Sequence, residues 1–77
     1  MTKTILIYTT PTCPYCHMAA DFIKHKGFEP TMVDVAADQT KAQEMIAKSG
    51  QMGVPVIEID GKIIIGFNRP EIEKALG

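Results

Sequence analysis

The sequence predicts an α/β domain in which a four-stranded mixed sheet carries helices on both faces. Three observations predict it. Apolar runs that suit strands alternate with runs at helical spacing, in the order β-α-β-α-β-β-α. The first half reads as a βαβ unit, which sets two strands parallel. The second half holds Asp60-Gly61 between two β-rich runs, a hairpin signal of type I′ that sets its strands antiparallel. At 77 residues the chain has room for one domain, residues 1–77, and no second. Its 45% hydrophobic and 22% charged residues suit a globular protein.

The elements follow in chain order. Lys3 to Thr9 is the first strand, and consecutive Ile5, Leu6 and Ile7 suit a central position buried on both faces. Thr10-Pro11-Thr12 ends it. A helix runs from Pro14 to Lys26, with proline in the first turn where its missing N–H costs nothing. Ala19, Phe22, Ile23 and the Lys26 stem form its apolar stripe, and Gly27 closes it. Thr31 to Val35 is the second strand. Asp38 caps a helix through Ser49, with Ala42, Met45 and Ile46 inward and Glu44 paired with Lys48 on another face. Gly50 ends it. Val56–Ile59 and Lys62–Ile65 are the hairpin strands. Asn68-Arg69-Pro70-Glu71 resembles a capping box opening a last helix through Leu76, whose inner face is Ile72, Ala75 and Leu76. No repeat, linker or low-complexity segment interrupts this order.

Charge and hydropathy exclude several functions. A formal net charge of −1 gives no electrostatic reason to bind nucleic acid or an anionic membrane. No apolar run approaches the roughly 20 residues needed to span a bilayer. The N-terminal run Met1 to Tyr8 lacks a long apolar core and a small-residue cleavage site, so it reads as a strand and not a signal peptide. A cytoplasmic monomer is expected, in a compartment where thiols stay reduced and a disulfide is more often catalytic than structural.

The chemistry concentrates in Cys13-Pro14-Tyr15-Cys16, which holds the two cysteines of the chain at the strand-to-helix junction. One thiolate can attack a foreign disulfide and the second thiol can resolve the mixed disulfide. A structural staple is the competing reading. Closing so short a loop is worth only about 2 kcal/mol, against about 3 for a 15-residue loop. A bound metal is another. Two thiolates make half a tetrahedral zinc site, and His17 and His25 are poorly placed to complete it. No resident metal or cofactor is expected. A C-x-x-C beside a βαβ pattern is the sequence sign of a thioredoxin-like fold.

Cys13 is the expected nucleophile. Its place at the helix start offers free N–H groups and the positive end of the dipole, which can bring a thiol from about 8.5 into the range of about 3.5–7.5. Cys16, one turn in and more buried, is the resolving thiol. Pro14 stiffens the turn. Tyr15 reads equally as a substrate contact or a solvated aromatic. Met18, Met32, Met45 and Met52 read as packing or loop residues.

Cys13-Pro14-Tyr15-Cys16, Val54-Pro55 and Gly66 at the end of the fourth strand together resemble the glutaredoxin family over nearly the whole chain. The resemblance implies a thioredoxin-like fold, thiol–disulfide exchange, and a cis peptide bond at Val54-Pro55 that leaves the Val54 backbone free to pair with substrate. It implies a substrate or glutathione site formed by Thr12, Tyr15, Val54, Pro55, Gly66, Phe67 and Asn68. Arg69, Thr12 and Tyr8 are lesser candidates, Arg69 reading also as a solvated charge. Two positions depart from the dithiol glutaredoxins. Thr10 stands where they usually carry lysine, and Gly66-Phe67-Asn68-Arg69-Pro70 replaces their Gly-Gly segment. That segment resembles the Gly-Phe-Arg-Pro pattern of the NrdH-redoxins, which thioredoxin reductase reduces and which donate electrons to ribonucleotide reductase. The implied partners are disulfide-bearing proteins, ribonucleotide reductase among them, with glutathione or NADPH-dependent thioredoxin reductase as reductant. Some family members instead bridge an iron–sulfur cluster between two copies, which is the alternative reading.

Overall fold

In the computed structural model, residues 3–77 are described; the part of the N-terminal reading that rests on Met1 and Thr2 lies outside the described residues. Strand β1 (Ile5–Thr9) takes the central place its apolar run predicts. It pairs in parallel with β2 (Thr31–Asp34), from Leu6↔Thr31 to Thr9↔Asp34. On its other side it pairs antiparallel with β3 (Val56–Ile59), from Ile5↔Ile59 to Tyr8↔Val56. Strand β4 (Lys62–Ile65) pairs antiparallel with β3, giving the order β2-β1-β3-β4. Asp60 (φ 49°) and Gly61 (φ 90°) both lie in the left-handed region that a type I′ turn requires. The Asp60 carboxylate also accepts from Thr4 N–H at 2.9 Å, tying the turn to the start of β1.

Helices α1 (Pro14–His25), α2 (Gln39–Ser49) and α3 (Arg69–Leu76) complete the β-α-β-α-β-β-α order. Asp38 caps α2 as expected, accepting from Thr40 and Lys41 N–H at 3.0 and 3.3 Å. Asn68 caps α3 by accepting from Glu71 N–H at 3.4 Å. Only that half of the box forms, because the Glu71 carboxylate turns to Lys62 Nζ at 3.2 Å.

The side chains of the sheet divide by period two. One face packs Ile5, Ile7, Ile57, Ile59 and Ile64 against Ala19, Ala20 and Ile23 of α1 and Ile72 and Leu76 of α3. The other packs Tyr8 and Val56 against Met45 of α2, with Leu6, Val33, Val35, Ile46, Val54 and Ile63 partly buried.

Three boundaries differ from expectation, and one side chain has partners the sequence did not indicate. Strand β1 begins at Ile5 and not Lys3. Lys26 is the C-cap of α1, its N–H bonded to Phe22 and Ile23 carbonyls, and not its last helical residue. Strand β2 ends at Asp34 and not Val35, because the Asp34 carboxylate accepts from Ala36 and Ala37 N–H at 2.9 and 3.2 Å and bends the chain. Lys48 reaches its expected partner Glu44 at 3.8 Å. Its shorter bonds cross to the sheet, to Glu58 at 2.7 Å and to the Tyr8 hydroxyl at 3.0 Å. Those bonds, Glu58 first, push the Lys48 pKa above its ordinary value.

Candidate active site

The disulfide sits where β1 hands the chain to α1. Thr9 ends the strand, Thr10-Pro11-Thr12 turns, and Cys13 N–H donates to Thr10 O at 3.3 Å. Cys13 is the N-cap of α1, a place ordinarily held by Ser, Thr, Asp or Asn. Its Sγ takes the acceptor role, receiving Cys16 N–H at 3.2 Å. Pro14 follows at the first helical position. Cys13 and Cys16 are joined as a disulfide with Cα atoms 5.3 Å apart, within the range a disulfide bridges without moving backbone. Cys16 is fully buried and Cys13 keeps 7% of its surface, so Cys13 is the more accessible of the two residues.

Strand register brings the other predicted residues to the same end of the sheet. Tyr8 is paired with Val56, so the segment before β3 lies beside the segment after β1. The Val54-Pro55 bond in that segment is cis. Pro55 O accepts from Gly66 N–H at 2.9 Å, which carries the β3–β4 pairing one rung further and sets Gly66-Phe67-Asn68 alongside. Val54 makes no backbone hydrogen bond among the described residues, so its N–H and C=O are available to a peptide. Thr12 and Tyr15 are exposed, Tyr15 by 62%.

Within this strip each residue has a structural task. Gly66 takes φ 79°, a left-handed conformation that favours glycine. The Asn68 side-chain oxygen accepts at the α3 cap. The Phe67 ring turns inward and meets Phe22 of α1 edge-on. Arg69 is exposed, with its guanidinium carbon 4.9 Å from the centroid of the same Phe22 ring, so the charge stays solvated on one side and meets an aromatic face on the other. Tyr8 is not part of the site. It is 1% exposed in the core, with its hydroxyl bonded to Lys48.

Sequence reasoning missed two residues that shape the site. The Ser49 hydroxyl lies 2.7 Å from Met45 O and accepts from Gln51 N–H at 3.3 Å, anchoring the loop that leads to Val54. The helical spacing placed Phe22 on the apolar stripe, but no local signal showed that it joins α1 to α3. A cavity of about 360 Å³ opens between α1 and β2, bordered by Thr10, Pro11, His17 and Met32. Neither cysteine and none of Thr12, Tyr15, Val54, Pro55 or Gly66 lines it. Among the described residues no group of three or more His, Cys, Asp and Glu side chains could hold a metal ion, and no helix is long and apolar enough to cross a membrane.

Comparison with known proteins agrees with this geometry. The glutaredoxin family model matches residues 5–64. The chain is 49% identical over 72 residues to a glutaredoxin-like 8.6 kDa protein in the rubredoxin operon of Clostridium pasteurianum, covering 94% of this chain and 96% of that protein. It is 42% identical over 60 residues to Glutaredoxin 3 of Escherichia coli K12, covering 78% and 72%. Among solved structures, the glutaredoxin-like NrdH-redoxin of Escherichia coli, described as having a thioredoxin-like activity profile, superposes with a TM-score of 0.82 at 25% identity, covering 92% of each chain. The fold is thioredoxin-like.

Proposed function

The chain belongs to the glutaredoxin family of thiol–disulfide oxidoreductases, and from that premise we propose that it is a dithiol reductase of protein disulfides that takes its electrons from an NADPH-dependent thioredoxin reductase. The observation that carries this reading is the pairing of a fully buried Cys16 with a less deeply buried Cys13 at a helix start, beside a Val54 backbone left without internal partners among the described residues.

The cycle follows from those positions. In the reduced protein, the Cys16 N–H and the start of α1 favour Cys13 as thiolate. A target segment pairs with Val54, and Cys13 Sγ attacks one target sulfur. The target S–S bond breaks as the Cys13–target bond forms, and the departing sulfur takes a proton. Cys16 then loses its proton and attacks Cys13 Sγ, which releases the second target thiol. Two electrons have moved to the target, and the chain is left as the Cys13–Cys16 disulfide seen here.

The choice of reductant rests on Thr10, where the dithiol glutaredoxins usually carry lysine, and on the segment from Gly66 to Arg69. Likeness to the NrdH-redoxin, with its thioredoxin-like activity profile, supports the same choice. Ribonucleotide reductase is the first target to assay on that ground. The 42% identity to Glutaredoxin 3 favours a second reading, reduction by glutathione. Oxidised protein mixed separately with thioredoxin reductase and with glutathione plus glutathione reductase, each with NADPH, separates the two. Faster NADPH loss with thioredoxin reductase is expected. Turnover with glutathione alone would overturn the choice of reductant. Visible absorbance and a dimer in anaerobically purified protein would point instead to the iron–sulfur alternative.

A further inference from the structure

Phe22 lies outside both the disulfide and the strip, yet three side chains meet on its ring. The Arg69 guanidinium carbon stands 4.9 Å from the ring centroid and Lys26 Nζ stands 5.4 Å from it. The Phe67 ring meets it edge-on, with centroids 6.0 Å apart and planes at 71°. Cations at this range are drawn to the face of an aromatic ring, and edge-to-face pairs are a favoured aromatic geometry. Lys26 also bridges to Glu73 of α3 at 3.2 Å, so the contacts form one seam between α1 and α3.

The seam has a particular place relative to the strip. Phe67 and Arg69 flank Asn68, the cap of α3. The sheet side of the strip is fixed by the hydrogen bond from Gly66 N–H to Pro55 O. Its α3 side is fixed by the ring of Phe22, which rides on the same helix as the disulfide. The strip is thereby tied both to the cis-proline loop and to α1.

We propose that Phe22 is a positioning residue for target binding: it locks the Gly66-Phe67-Asn68 strip to the helix that carries Cys13 and Cys16, so that a disulfide-bearing segment meets both at once. This role rests on the reading of the chain as a protein-disulfide reductase. Phe22 touches neither sulfur, so the exchange step does not need it. What it supplies is a preorganised surface, and losing preorganisation weakens binding without altering the chemistry. A small disulfide that reaches Cys13 without contacting the strip is indifferent to it.

Two variants separate this from mere packing. Phe22→Leu keeps apolar volume but has no ring face for Arg69, Lys26 or Phe67, whereas Phe22→Tyr keeps the face. The probes are insulin as a protein disulfide and hydroxyethyl disulfide as a small one, with thioredoxin reductase and NADPH recycling the protein and glutathione left out. Phe22→Leu is expected to raise KM for insulin about fivefold with kcat unchanged, and to leave hydroxyethyl disulfide reduction within about twofold. Phe22→Tyr is expected to restore the insulin KM. If Phe22→Leu does not fold, Arg69→Gln, which leaves the Phe22 core contacts intact, is expected to raise the insulin KM about twofold. An unchanged insulin KM in whichever variant folds, an equal loss on both probes, or a failure of tyrosine to restore binding overturns the positioning role. Wild-type protein that reduces neither probe overturns the reductase reading, and the positioning role falls with it.

Discussion

The two faces of the sheet are built differently. The face under α1 and α3 is sealed by ten buried apolar residues, with Phe22, Phe28, Phe67 and Ala75 packed at its margin. The face under α2 has three buried residues, and one of them, Tyr8, carries a hydroxyl. Its margin is polar: Lys48 bonds Tyr8 and Glu58 and lies near Glu44. One helix does not cover four strands, and a charged network shields what α2 leaves open. The difference bears on chemistry. The disulfide begins the helix that closes the dry face, with Cys16 fully buried, whereas the Val54 side chain belongs to the wetter face. The helix that begins at the redox pair packs on the larger core, and Val54 packs at the margin of the smaller.

Truncating one core residue under each helix system breaks the comparison most sharply. Ile23→Ala opens a cavity between α1 and the sheet where nothing can collapse, and a loss of about 4 kcal/mol is expected. Met45→Ala removes a comparable side chain from the wetter face, where solvent and neighbours relax into the gap, and about 2 kcal/mol is expected. Urea unfolding of both variants checks the difference, and equal losses would erase the distinction between the faces. Tyr8→Phe removes the hydroxyl that accepts from Lys48 and is expected to cost about 1 kcal/mol, a fall of roughly 4–8 °C in Tm for a domain of this size.

The smallest effect belongs to Lys48→Met, under about 1 kcal/mol, because its partners are partly solvated. The pH dependence has a definite sign. The folded-state pKa of Lys48 is raised, so its contribution is fully present below the unfolded value of about 10.4 and is lost as pH rises through the folded value. The stability gap between wild type and Lys48→Met is therefore expected to stay constant from about pH 6 to pH 8 and to narrow only in strong alkali. A gap that changed across neutral pH would show that another group governs the network.

Signals local in the chain were legible in the sequence. Ile5-Leu6-Ile7 announced a central strand, Asp60-Gly61 a hairpin, and Asp38 and Asn68 the starts of two helices. Errors arose where a side chain chose between local and distant partners. Asp34 turned back on Ala36 and Ala37 and shortened β2. Glu71 left its cap for Lys62, and Lys48, besides its expected pair with Glu44, found a shorter bond to Glu58 across the sheet that the helical spacing could not show. The same limit applied at the site. Cys13 and Cys16 were readable from spacing alone, whereas the cis bond at Val54-Pro55 came from the family resemblance, since most X–Pro bonds are trans. Phe22 was legible as a stripe residue but not as the joint between α1 and α3, which exists only once the two helices meet, whereas Ser49 bonds only to residues within four positions and was overlooked.

In the proposed cycle Cys13 attacks and Cys16 resolves. Turnover of insulin and of a glutathione mixed disulfide by Cys13→Ser and Cys16→Ser proteins tests it directly. Cys13→Ser is expected to abolish both activities, and Cys16→Ser to lose insulin reduction while keeping monothiol release of glutathione. Full insulin reduction by Cys13→Ser would contradict it.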